Sequence, residues 1–237
     1  MEPDAPSPSI DPYRRRRAAG AASREETRRR LLAAADELFR EQGYPATTVA
    51  AIALRADVSL QTLYLAWGSK RALLRAASAA AAVASQLPMH PDEWGATIRA
   101  ELADDVDGAT TAAAYLAAVS RLFVRVAERT APFRRMHQRA AATDPEIATD
   151  WEATMAESRH TMTEIAKGIP RQGLRTSLTE EAIADTLWAI ASPEVYDLLT
   201  TQGGYAPAAF QSWLERTLVA ALCTAPREPR STAPISR

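Results

Sequence analysis

The sequence predicts an all-α protein in which a small N-terminal unit of short helices precedes a longer helical bundle. Three observations carry this. Alanine is abundant and β-branched runs are short. Apolar residues recur at spacings of three and four through most of the chain. Four cap-forming residues, Ser23, Thr48, Ser59 and Ser69, fall close together near the N-terminus, which calls for short, closely spaced helices. No strand pair or internal repeat stands out.

Residues 1–22 hold scattered prolines and the run Arg14, Arg15, Arg16, Arg17, and such a stretch cannot bury enough apolar area to offset its ordering entropy. A disordered basic arm is expected there. Ser23 with Glu26 forms a capping box that opens the first helix; Leu31, Ala35, Leu38 and Phe39 line one face of it, and Gly43 ends it. Thr48 caps a short second helix that turns Val49, Ile52 and Ala53 inward. Ser59 caps a third with Leu63 and Tyr64 on its body, and Ser69 a fourth through Leu73 and Leu74. Residues 23–68 are thus expected to be a three-helix unit with a helix-turn-helix.

Residues 69–223 are expected to form the bundle. A linker spans 87–91, Gly108 divides two helices, and Thr130-Ala131-Pro132 and Asp144-Pro145 open new ones. A loop covers 168–177. Long helices run over 178–191 and 207–222, with a short one between them that Ser192-Pro193-Glu194 starts and Gly203-Gly204 terminates. Residues 224–237, with three prolines among Arg and Ser, are expected to be a disordered tail.

Charge is unevenly spread. Up to Gln86 there are 13 basic and 9 acidic residues, and beyond it 15 and 20, so an overall −1 conceals +4 followed by −5. Arg14 to Arg30 alone holds eight arginines against Glu25 and Glu26, which points to a polyanionic partner reached through the minor groove or the phosphate backbone. No apolar run approaches the roughly 20 residues that cross a bilayer, and the N-terminus lacks a signal core, so no membrane partner and a cytoplasmic place are expected. Cys223 is the one cysteine; it excludes an intrachain disulfide and a multi-cysteine zinc site and suits a small buried apolar role. Three isolated histidines, no nucleophile elbow and no glycine-rich phosphate loop argue against an enzyme, a metal site or a cofactor.

The stretch from Thr47 to Leu74 carries the functional information: a short helix, a four-residue turn, a second short helix, an aromatic and a capped longer helix. When two such helices cross steeply, the second can lie in the major groove, about 12 Å wide, while helix N-termini hold phosphates. Over about residues 27–75 the sequence resembles the tetracycline-repressor (TetR) family. The resemblance rests on Gly43-Tyr44, Thr47-Thr48-Val49, Ile52-Ala53, Ala56, Val58-Ser59, Thr62-Leu63-Tyr64, Trp67, Ser69-Lys70 and Leu73-Leu74, all in register. It implies a regulator binding double-stranded DNA. In it Thr48 and Tyr64 would touch phosphates, Lys70 would reach one from the start of helix four, and Ser59, Leu60, Gln61 and Thr62 would face the groove. Two departures stand out. Asp57 occupies the turn position that glycine usually fills, which requires a left-handed residue other than glycine. Leu60, Leu65 and Ala66 are apolar where polar or aromatic residues are frequent, so readout would lean on Gln61 toward adenine, on Thr62, and on apolar contact with thymine methyls.

A single helix-turn-helix reads half a site, so the resemblance also implies a homodimer on a palindromic operator. Leu187, Trp188, Ala191, Phe210, Trp213, Leu214, Thr217 and Leu218, at helical spacing on the last long helices, are the candidate interface. The middle helices carry Trp94, Tyr115, Phe123, Phe133, Met136, His137, Trp151 and Met155, where the family places the cavity for a small-molecule effector. A repressor is expected. The competing reading is a helical dimeric interaction protein without specific operator binding, prompted by Asp57 and the apolar recognition face.

Overall fold

The computed structural model describes residues 12–84, 90–103 and 111–224. Ten α-helices are found among them: α1 (Pro12–Ala46), α2 (Val49–Arg55), α3 (Leu60–Trp67), α4 (Lys70–Val83), α5 (Trp94–Ala103), α6 (Ala112–Ala141), α7 (Pro145–Lys167), α8 (Glu180–Ile190), α9 (Pro193–Asp197) and α10 (Pro207–Leu222). A 3-10 turn at Pro91–Glu93 precedes α5, and a wide π turn at Leu198–Gln202 follows α9. The all-α class is as the sequence predicts. No single helix among the described residues is long and apolar enough to cross a membrane.

The chain divides into two compact units, one reaching Ala80 and the other starting at Ala81. This boundary falls inside α4 rather than before Ser69, because the first turn of α4 is tied to the N-terminal unit: Lys70 Nζ donates to the carbonyls of Tyr44 (2.9 Å) and Thr47 (2.8 Å).

In the N-terminal unit α1 begins at Pro12, not at Ser23. Residues 12–22 are therefore helical where a disordered arm is expected; residues 1–11 of that arm lie outside the described residues. Arginine and alanine are strong helix formers, and proline suits a first helical turn, so the stretch propagates with little apolar burial. Ser23 sits inside the helix and accepts a hydrogen bond from Thr27 Oγ1 at its carbonyl (2.9 Å), so the Ser23–Glu26 capping box is not used. Gly43, at φ 81°, breaks the helix where expected, ahead of a last turn ending at Ala46. Leu31, Ala35, Leu38 and Phe39 are buried, and Phe39 packs on Tyr44 with ring centroids 5.7 Å apart.

In the C-terminal unit the core is one apolar cluster drawn from α5, α6, α7, α8, α9 and α10. Phe210 is its centre: Tyr196 meets it edge-on at 5.0 Å, Trp213 lies at 5.5 Å and Phe123 at 6.3 Å. The loop after α7 is stitched to the end of α10, where Arg175 caps the helix by donating to the carbonyls of Cys223 (2.9 Å) and Ala220 (3.0 Å). Cys223 is buried. Asp144 caps α7 and Ser192 caps α9, as their position before proline predicts. Thr130-Ala131-Pro132 opens no helix. It lies within α6, whose buried residues Ala127, Ala131, Phe133 and Met136 hold the helix together across Pro132 against a cost of about 3 kcal/mol. Gly108, residues 87–89 of the linker and residues 225–237 of the tail lie outside the described residues.

Candidate nucleic-acid interface

Each cap that frames α2 and α3 is made by the residue expected. Thr48 Oγ1 accepts from Ala51 N–H (3.1 Å), Ser59 Oγ from Thr62 N–H (3.0 Å) and Ser69 Oγ from Ala72 N–H (3.1 Å). Such caps stabilise by about 1 kcal/mol each and fix where a helix starts. Between the two helices Asp57 takes the left-handed conformation, φ 51°. Here the chain departs from the usual glycine without losing the turn: Ala56 N–H donates to Ile52, Asp57 N–H to Leu54 and Val58 N–H to Ala53, which closes the end of α2. The helix axes consequently turn by 103°, within the range of helix-turn-helix pairs.

Long side chains lock that geometry from α1. Arg30 donates to the carbonyls of Ala56 and Asp57 in the turn, and Arg28 donates to the carbonyl of Ala66 while stacking over Trp67 at 3.9 Å. Trp67 returns a hydrogen bond from Nε1 to the Arg28 carbonyl (3.3 Å). Arg55 on α2 pairs with Glu37 and Glu41 on α1. Arg28 and Arg30 are therefore committed to the fold, and Arg29 pairs with Glu26, whereas the arginine-run reading groups them with the DNA-reaching residues. Arg16, Arg17 and Arg24 are exposed on α1.

α3 buries only Leu63 and turns Leu60, Gln61, Tyr64 and Leu65 outward. Leu60 is 42 %, Tyr64 48 % and Leu65 82 % exposed, so a mostly apolar strip with one carboxamide covers the outer face. Thr62 is half-buried, its hydroxyl 2.8 Å from that of Ser59. Thr48 and Ser59 are exposed at the two helix N-termini. Lys70 is half-buried, its ammonium over the Tyr44 ring at 4.1 Å. Leu65, noted in the sequence as an apolar departure but not placed among the DNA-facing residues, belongs with this strip; its position four residues after Gln61 puts it on the same face. Leu54 on α2 is likewise 82 % exposed.

The sequence carries a family signature over this unit. Residues 31–77 match the bacterial regulatory proteins of the tetR family. The match is confined to the N-terminal unit, which is therefore similar to the N-terminal domain of that family. Solved structures reproduce the fold along nearly all of their own length. NalD, the secondary repressor of the MexAB-OprM multidrug efflux pump of Pseudomonas aeruginosa, is 18% identical, with 85% of this chain and 99% of that one covered and a TM-score of 0.61. A putative transcriptional regulator from Saccharomonospora viridis in complex with choline is 17% identical over 84% and 99%, with a TM-score of 0.61. GusR of Salmonella enterica is 19% identical over 83% and 95%, with a TM-score of 0.55. Among curated proteins none matches the sequence.

The candidate pairing and effector residues fall differently. Leu187, Ala191, Phe210, Leu214 and Leu218 are each no more than 1 % exposed within a single chain. They form the chain's own core and cannot present a surface to a partner; helical spacing marked the apolar face correctly, but that face is covered from within. Trp188, Trp213 and Thr217 are half-buried and retain some surface. Of the eight candidate effector residues, Tyr115, Phe123, Phe133, Met136 and His137 are buried, and Trp94, Trp151 and Met155 half-buried. Tyr115 and Phe123 belong to the main core with Trp94 packed against it, while Trp151 and Met155 gather round Arg134. Burial pushes the Tyr115 hydroxyl up to about 12, with Arg99 opposing. An open groove beside α6 and α9 is lined by none of the eight.

Proposed function

We propose that the chain is a ligand-responsive transcriptional repressor that binds a palindromic operator as a homodimer, with α3 seated in the major groove. The observation that carries this is the pose of α3: a capped helix, crossing α2 at 103°, whose outer residues Leu60, Gln61, Tyr64 and Leu65 are exposed. Gln61 would read adenine, Leu60 and Leu65 thymine methyls, and Thr62 a neighbouring base edge, with the N-termini at Thr48 and Ser59 and the hydroxyl of Tyr64 on phosphates. Lys70 would add a phosphate contact from a position already fixed by two carbonyls. Because Asp57 holds the left-handed turn, the first ground for a non-DNA interaction protein is removed.

Repression is favoured by likeness to NalD, and effector response by likeness to the choline complex. Trp188, Trp213 and Thr217 offer the outer surface of α8 and α10 to a second copy. An effector that prefers the conformation less able to hold DNA would lower affinity by about 5- to 150-fold, the span of a coupling of about 1–3 kcal/mol. Footprinting on DNA flanking the chain's own gene tests the reading: a protected two-fold repeat is expected, whereas uniform, salt-labile protection overturns operator specificity. Sedimentation equilibrium that gives a monomer at micromolar concentration overturns the dimer.

A further inference from the structure

Arg134 is out of keeping with every other arginine discussed above. Its side chain lies half-buried on α6, with Nε shut off from solvent and without a hydrogen-bond partner. Trp151 stands beside the guanidinium at 5.3 Å and Met155 Sδ at 3.9 Å, so its near neighbours on α7 are soft and uncharged. No carboxylate among the described residues forms an ion pair with it. Burying a guanidinium is costly unless an anion meets it, and arginine cannot escape by losing its proton. Burial pulls its pKa below the ordinary arginine value, with Glu194 pulling the other way.

Arg134 also lines a groove of about 310 Å³ between α6, α9 and the π turn, a volume suited to a small ligand. The groove's other arginine, Arg135, is already paired with Asp197 and bonded to Thr201 (3.2 Å). Gln138 and Gln202 supply carboxamides, and Ala131 and Leu198 supply apolar wall. With Arg135 matched by Asp197, Arg134 is the groove's one cation without an ion-pair partner among the described residues, and Glu194 at its edge would repel a second negative charge.

We propose that this groove binds a small organic monocarboxylate, its head group forked onto Arg134 and its hydrocarbon body against Ala131 and Leu198. A single negative charge fits where a doubly charged phosphate would meet Glu194, and the planar guanidinium suits a carboxylate's two oxygens. The inference deepens the effector reading above and rests on it for biological purpose, but not for binding.

The experiment uses the full chain with octanoate and benzoate, the matched octanamide and benzamide, and inorganic phosphate, followed by thermal melting and calorimetry. A carboxylate is expected to raise Tm while its amide does not. Arg134→Met, with circular dichroism unchanged, is expected to weaken binding by about tenfold or more, and Arg134→Lys to restore it only in part because an ammonium offers no fork. Glu194→Gln is expected to tighten binding by removing a like charge. Absence of any shift with either carboxylate, equal response to the amides, a response to phosphate alone, or undiminished binding in Arg134→Met overturns the proposal. So does a Glu194→Gln variant that melts lower and binds nothing, since Glu194 would then be the partner of Arg134. DNA titrations in the same samples separate the two readings: a bound carboxylate that leaves DNA affinity unchanged removes effector response and keeps the site.

Discussion

The two units hold their helices by different means. In the N-terminal unit, the short helices α2 and α3 bury few residues of their own, and they and the start of α4 are fastened by long side chains reaching main-chain carbonyls: Arg28 to Ala66, Arg30 to Ala56 and Asp57, Lys70 to Tyr44 and Thr47. In the C-terminal unit, apolar area does that work, from the ring cluster round Phe210 to the buried faces of α6 and α10. Directional bonds set an angle and a register, which a helix entering a groove needs. Undirected burial sets compactness and leaves freedom for grooves and altered packing, which the proposed effector response would need.

The largest effect that would sharpen this contrast is expected at Phe210. Its truncation in Phe210→Ala should cost about 3–5 kcal/mol in chemical denaturation, because four packed rings lose their centre. A loss under about 1 kcal/mol would mean that the cluster is not the stabilising core. Next comes alkaline pH. Tyr115 stays neutral in the fold up to about 12 against 10 for the free side chain, so its contribution is complete below pH 10 and lost as pH rises towards 12. A shift of that size corresponds to on the order of 2 kcal/mol. Tyr115→Phe should flatten the alkaline decline in Tm, and an unchanged slope would place the titrating group elsewhere.

Arg30→Ala should cost about 1 kcal/mol and loosen the turn between α2 and α3, since the guanidinium is partly exposed and its bonds are partly replaced by water. Faster amide exchange at Asp57 and Val58 is the accompanying sign. The smallest effect is expected at Asp57→Gly, which relieves a left-handed backbone but loosens the unfolded chain. A net change within about 0.5 kcal/mol of zero is expected from equilibrium unfolding.

How much of this was legible in the sequence follows the same division. Thr48, Ser59 and Ser69 act on N–H groups three residues away, so local pattern alone placed α2, α3 and the start of α4. Residues 12–22 escaped because helix propensity of arginine and alanine outweighed a composition that otherwise reads as disordered. Pro132 misled for the opposite reason: burial of its neighbours on α6 overrides a breaker. Periodicity found the inward faces of α8 and α10 but could not say whether Leu214 and Phe210 meet their own chain or a second copy. Arg134 left no trace at all, since Trp151 and Glu194, which give it meaning, come from distant segments.

The central claim is that the outer face of α3 enters the duplex. A Leu60→Glu, Leu65→Glu double variant tests it, because both side chains are exposed and two carboxylates there should leave folding intact. Fluorescence anisotropy on the footprinted duplex is predicted to show affinity reduced about a hundredfold or more, with Tm unchanged, as the new charges face phosphates. Wild-type affinity in that variant would contradict the docking of α3.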